Sequence, residues 1–210
     1  MLRIHTHING SRRCTTGGFT LVEMLMVLAI IGVLAAIALT ILPVAKDRSL
    51  RSRAEGQLRQ IEAAIESYHA KHGLYPPDNP NGDTAVHQLF YELTGVLWDG
   101  SRFKDIHQQD IDMGKLGVGG IVHAAKVGQT IRSFFGDTMP DFVDIGGVKL
   151  LKAPGEWPSG FPNPPVPSNP SVNVWRYKST NPEHNKNSYD LWAEVVIRGK
   201  VIRFSNWERR

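Results

Sequence analysis

The sequence predicts an α+β chain in which a long N-terminal helix packs on a small antiparallel C-terminal sheet. Three observations support this. An unbroken apolar run, Phe19–Leu42, is followed at once by a stretch with helical periodicity. A proline-rich segment then separates the middle of the chain from its end. The end reads as three β segments with a tight turn between the last two.

The apolar run has 24 residues and one charge, Glu23. As a helix it spans about 36 Å, against roughly 30 Å for a bilayer core, so 19–42 is expected to be a transmembrane segment. Pro43 closes the run and is expected to kink or locally break the helix. Beyond it, Leu50, Ala54, Leu58, Ile61, Ile65 and Tyr68 recur every three or four residues, one apolar stripe along a spine helix over 43–72. Lys71 and His72 suit a helix C-terminus, and Gly73 is a natural stop, with Pro76-Pro77 beyond it.

Residues 73–210 form a head. Thr84 is expected to cap a short helix carrying Val86, Leu89, Phe90 and Leu93, with Gly95 ending it. The segment from about 98 to 170 reads as an irregular insertion, Gly-rich at first and proline-rich over 153–170. Strands are expected at Val172–Lys178, Tyr189–Ile197 and Lys200–Phe204, with a turn at Arg198-Gly199.

Charge and cysteine content exclude several functions. The formal charge is +4, from 24 basic and 20 acidic residues, but Arg3, Arg12 and Arg13 sit in residues 1–18 without an acid. Residues 19–210 are therefore close to neutral, which gives no electrostatic case for a nucleic-acid partner. Cys14 is the sole cysteine, so no intramolecular disulfide can form. It follows Ser11-Arg12-Arg13 rather than an apolar segment, which excludes a lipoprotein anchor. His69 and His72 are three apart on the helix, but solvated helix-end side chains are the simpler reading. His107, His123 and His184 read as scattered loop residues. Asp105, Asp110, Asp112, Asp137, Asp141 and Asp144 follow no cation-loop motif, and Gly114–Gly120 lacks the setting of a phosphate loop. No nucleophile–base motif is present, and no enzyme activity is expected.

Residues 1–18 are basic and polar, and the apolar run follows the Gly17-Gly18 pair instead of preceding it, the reverse of an ordinary signal peptide. The segment Gly17-Gly18-Phe19-Thr20-Leu21-Val22-Glu23-Met24-Leu25, with its apolar helix, resembles the class III signal of type IV pilins and type II secretion pseudopilins. The resemblance implies that 1–18 is a leader cut by prepilin peptidase between Gly18 and Phe19, and that Phe19 is then N-methylated. It implies a single-pass inner-membrane subunit with a cytoplasmic N-terminus and a periplasmic head. A side chain is absent at Gly18, which lets a peptidase approach closely. Glu23 is costly at the start of a membrane helix unless neutralised. The amine created on Phe19 lies about 6 Å away along a helix, so Glu23 of one subunit can pair with that amine on its neighbour.

Within the family, the absence of cysteine after residue 18 disfavours pilins with a disulfide-bounded loop. Trp175-Arg176-Tyr177-Lys178 and Ser188-Tyr189-Asp190-Leu191-Trp192 are similar to strands of the major pseudopilin, as is Tyr75-Pro76 at the helix end. The expected function is thus a structural subunit of a periplasmic pseudopilus of a type II secretion-like system. Its partners would be prepilin peptidase, other pseudopilin subunits and the inner-membrane secretion platform. The resemblance also implies calcium through Asp190, although the second carboxylate of that loop is missing from Val196-Ile197-Arg198-Gly199-Lys200. The alternatives are a type IV pilin, a competence pseudopilin serving DNA uptake, and a single-span membrane-anchored binding protein or enzyme.

Overall fold

A computed structural model describes residues 18–208, except for the side chains of 38–43. The expected leader, with Cys14, therefore lies outside the described residues apart from Gly18. The chain divides into two compact units, one ending at Val44 and one running Ala45–Arg210.

The first unit is helical from Leu21 onward, in α1 (Leu21–His72). Leu21, Val22, Leu25, Leu28, Val33 and Leu34 are all exposed, so apolar residues face outward on every side of this segment. Among the described residues no helix is long and apolar enough to cross a membrane. The stretch read from the sequence as 19–42 runs into residues whose side chains are not described. Helix is assigned through Pro43, so the expected local break does not occur there.

In the second unit, the apolar stripe of α1 enters the core as its spacing requires. Ala54, Ile61, Ile65 and Tyr68 are buried, while Leu50 and Leu58 pack at its margin. The helix ends at Gly73, whose φ is +73° and whose N–H donates to His69 O at 2.8 Å. A glycine takes that left-handed conformation without steric cost.

Against the stripe lies an antiparallel sheet of β6 (Arg176–Lys178), β7 (Asp190–Ile197) and β8 (Lys200–Ser205), in that order. Tyr177 pairs with Leu191, and Val195 with Ile202. Leu191, Ala193, Val195 and Ile197 alternate inward along β7, joining Ile61, Ile65 and Tyr68 in one core. The hairpin turn falls on Arg198 and Gly199, with φ of 52° and 71°, the paired positive angles of a two-residue turn matched to strand twist. β6 is shorter than expected, since Val174 makes only an isolated bridge, to Lys152.

Two expectations for the middle of the head need correction. The short helix is α2 (Leu89–Thr94), and Gln88 precedes it without a side-chain cap. Thr84 does not cap it. Asp83 organises the approach instead, accepting from the N–H groups of Ala85 and Val86 at 2.8 and 3.0 Å. Gly95 does end the helix, donating to Tyr91 O.

The segment expected to be irregular holds regular structure. β1 (Val96–Trp98) pairs antiparallel with β2 (Phe103–Lys104) and parallel with β3 (Ala124–Lys126). β4 (Phe142–Ile145) and β5 (Val148–Leu151) form a hairpin. The glycine-rich stretch contains α3 (Met113–Leu116), capped by Asp112 and closed at Gly117. Strands of two to four residues are too short to show periodicity, and β5 is buried at all four positions, including Lys149. The proline-rich run makes bends and turns, with Trp157 and Val166 buried.

Candidate processing and assembly segment

Gly18, Phe19 and Thr20 lead into α1 as non-helical backbone, and Phe19 is 77% exposed. Thr20 is the N-cap. Its N–H and its hydroxyl donate to Glu23 Oε2 at 2.8 and 2.9 Å, and Glu23 N–H donates back to Thr20 Oγ1 at 3.2 Å. This is a reciprocal capping box, which satisfies amide groups that the first helical turn otherwise leaves open. The Thr-x-x-Glu spacing that encodes it is visible in the sequence, yet Thr20 was not among the expected site residues. Among the described residues, Glu23 Oε1 has no hydrogen-bond partner. Gly18 stands in open space: a Cβ there would meet nothing within 4 Å. The described structure thus imposes no requirement for glycine at this position.

Asp190, at the start of β7, is 2% exposed. Its Oδ2 accepts from the N–H groups of Glu183 and His184 at 2.7 and 3.0 Å and contacts His184 Nδ1 at 3.2 Å. Its Oδ1 accepts from Asn185 N–H at 2.9 Å. Burial disfavours the charged carboxyl, but the N–H groups of His184, Asn185 and Glu183 outweigh it and hold Asp190 below the usual carboxylate range. The cavity beside it is walled by Arg176, Lys178 and Arg203. Calcium takes six to eight oxygen ligands. A carboxylate whose oxygens are filled by N–H donors, beside Glu183 and Glu194 carboxylates already paired with Lys178, Arg176 and Arg203, does not fit that ion. Asp190 instead folds the 183–185 loop onto β7, where the His184 ring stacks on Trp207 at 4.0 Å.

Of the other aspartates noted in the sequence, Asp105, Asp110, Asp112, Asp141 and Asp144 are also engaged, the last accepting from Gly147 N–H at 2.8 Å. Asp105 and the buried Lys149 ammonium pair at 2.5 Å. Asp110 pairs with Arg102, Asp141 with Arg53, and Asp112 caps α3. Among the described residues, no cluster of three or more His, Cys, Asp or Glu side chains could hold a metal. The His69 ring stacks on Tyr75 at 4.2 Å, whereas His72 faces Tyr68 and His123, so the helical pair does not converge.

The periodicity gave no sign of a polar hub inside the core. Glu92 is fully buried on α2 and accepts from Tyr68, Gln88 and the N–H groups of Val122 and His123, all at 2.9 to 3.0 Å. His123 is 4% exposed rather than a loop surface residue. It is held there because its Nδ1 donates to Glu92 O at 2.9 Å.

Residues 14–39 match the family described as the prokaryotic N-terminal methylation motif. The chain is 40% identical over 72 residues to a type IV major pilin protein of Neisseria gonorrhoeae, covering 31% of this chain and 30% of that protein. It is 42% identical over 62 residues to a fimbrial protein of Eikenella corrodens, covering 30% and 40%. A fimbrial protein of Neisseria meningitidis serogroup B matches at 37% over 76 residues, covering 33% and 41%. The chain thus spans between about a third and two fifths of the length of these curated relatives. No solved structure matches it significantly. The methylation motif and the pilin relatives agree with the long helix and small antiparallel sheets, and over about a third of its length the chain is similar to type IV pilins.

Proposed function

We propose that the chain is a filament subunit cut after Gly18, N-methylated on Phe19 and polymerised through the apolar start of α1. The carrying observation is the capping box itself: Glu23 sits one turn into a helix whose apolar residues are bare, with Phe19 exposed just before it. Cleavage would place a cationic amine on Phe19 of each subunit. Glu23 Oε1 is open to accept such an amine from a neighbour while Oε2 stays in the cap. Pairing would remove the cost of a carboxylate in an apolar bundle and set the axial register. The open surroundings of Gly18 support a requirement imposed from outside the chain, by a peptidase that needs close access to the bond.

For the filament we favour a periplasmic pseudopilus of a type II secretion-like system, anchored in the inner membrane and working with the secretion platform. Residues 19–210 lack cysteine, and β6 and β7 carry the aromatic segments similar to pseudopilin heads. A second reading, a type IV pilus, is favoured by the names of the relatives, each matched over about a third of this chain.

The deciding experiment is intact mass with N-terminal sequencing, with and without co-expressed prepilin peptidase. A product starting at methylated Phe19, seen only with the peptidase, is expected. An uncut chain beside active peptidase would overturn the proposal. Deletion of the gene separates the branches: lost export of folded proteins marks the pseudopilus, and lost surface fibres mark the pilus.

A further inference from the structure

A cavity of about 310 Å³ opens where the end of α1 meets β3, and its titratable lining groups are Lys71, His123 and Arg132. Four other surface cavities each carry carboxylates: Asp190 with Glu183, Glu55 with Glu208, Asp110 with Asp112, and Asp78 with Asp83. This one has none. Gln129 and Thr130 complete its polar wall.

Lys71 is held in place, Arg132 stands exposed on the rim, and neither is neutralised. Lys71 Nζ lies 3.5 Å from His123 Nε2 and 5.2 Å from the Phe134 ring centre. Among the described residues neither Lys71 nor Arg132 forms an ion pair. His123 is neutral at pH 7. Burial pushes it down to about 4, against the pull of its bond to Glu92 O, and the Lys71 charge adds to the lowering. Because Nδ1 donates to Glu92 O, Nε2 carries the lone pair and orients the Lys71 ammonium.

The opposite wall is also fixed. Phe134 N–H donates to Leu93 O at 2.9 Å. Ile131 rests on Gly95, where an added Cβ would lie 2.5 Å from Ile131 Cδ1. Gly95, at φ +83°, thus seats the loop that brings Thr130 and Arg132 into the lining of the same cavity as Lys71.

We propose that this cavity binds a phosphate dianion, either free or as a monoester. Two uncompensated cations balance its charge, and the Gln129 amide and Thr130 hydroxyl add donors to its oxygens. The site is independent of the processing segment.

The test is thermal unfolding of the full chain in detergent, titrated with inorganic phosphate and, separately, glycerol 3-phosphate, against chloride at equal ionic strength. The expected result is a saturable rise in Tm of about 3 °C near 10 mM ligand. It should vanish in the double variant Lys71→Gln/Arg132→Gln and persist in Arg102→Gln, whose charge is paired elsewhere. Saturation by inorganic phosphate identifies the free ion as sufficient, and a response to the ester alone identifies a phosphorylated organic group. Should the double variant fail to fold, Gly95→Ala, which displaces Ile131, should weaken the response at least tenfold in midpoint. Absence of any rise beyond chloride, or an equal rise in the double variant, overturns the proposal.

Discussion

The Tyr68 hydroxyl donates to Glu92 Oε2 at 3.0 Å, with both side chains fully buried. It ties α1 to α2 inside the core. Burial raises the Glu92 carboxyl above its ordinary value despite four donors. Tyr68→Phe removes one donor and leaves the acceptor in place. Stability should fall by about 1–3 kcal/mol, read as a shift in the urea midpoint. A change below about 0.5 kcal/mol, the size of an ordinary surface substitution, would show the bond to be dispensable.

Stability should decline on mild acidification. His87 is fully buried, with Nε2 3.0 Å from Trp175 O and Nδ1 accepting from Leu89 N–H at 3.3 Å. Burial pushes it down to about 4. The unfolded imidazole takes its proton near 6.5. The stabilisation is therefore complete above about 6.5 and is lost as pH falls toward 4. The slope is at most about 1.4 kcal/mol per pH unit for each such histidine. His123 acts in the same direction, while the raised Glu92 opposes them. Denaturation at pH 7, 6 and 5 should show the decline, and His87→Gln should flatten it.

Thr20 and Glu23 share one cap but differ in charge, which allows their roles to be separated. Thr20→Val should cost about 1 kcal/mol at the helix start and leave processing and filament incorporation intact. Glu23→Ala should be processed normally and fail to enter filaments. Sedimentation of sheared filaments reads both variants. Equal loss of assembly in the two would assign the effect to the cap and discard the pairing with Phe19.

At Asp190, substitution by Ala strands three part-buried backbone N–H groups of residues 183–185, beside the start of β7. The expected loss is about 1–3 kcal/mol, with Asp190→Asn intermediate because one oxygen remains. Excess calcium, or its removal by a chelator, should leave the Tm of the wild-type chain unchanged. A calcium-dependent rise lost in Asp190→Asn would refute the loop-folding role.

The elements legible in the sequence are those whose pattern repeats. The stripe from Leu50 to Tyr68 runs through five turns of one face, and Arg198-Gly199 has the turn chemistry of a hairpin. β2 and β3 were illegible because two or three residues carry no period. Lys149 was misleading, since a lysine buried by Asp105 and Gln109 interrupts the apolar signature of β5. At the candidate site, Glu23 was legible from its apolar surroundings. Thr20 was legible in principle from its spacing. Glu92 was not, because the amides that stabilise it come from residues 122 and 123, thirty positions along the chain.

Gln57 uses both ends of one amide, its Nε2 donating to Asp141 at 3.0 Å and its Oε1 accepting from Trp175 at 3.1 Å. Asp141 leads into the β4–β5 hairpin and Trp175 into the β6–β8 sheet. One side chain of α1 is therefore tied to two parts of the head at once, beside the Arg53–Asp141 pair and the packed apolar stripe. In a polymer that carries load along its helices, a side chain bonded to both parts would share that load between them.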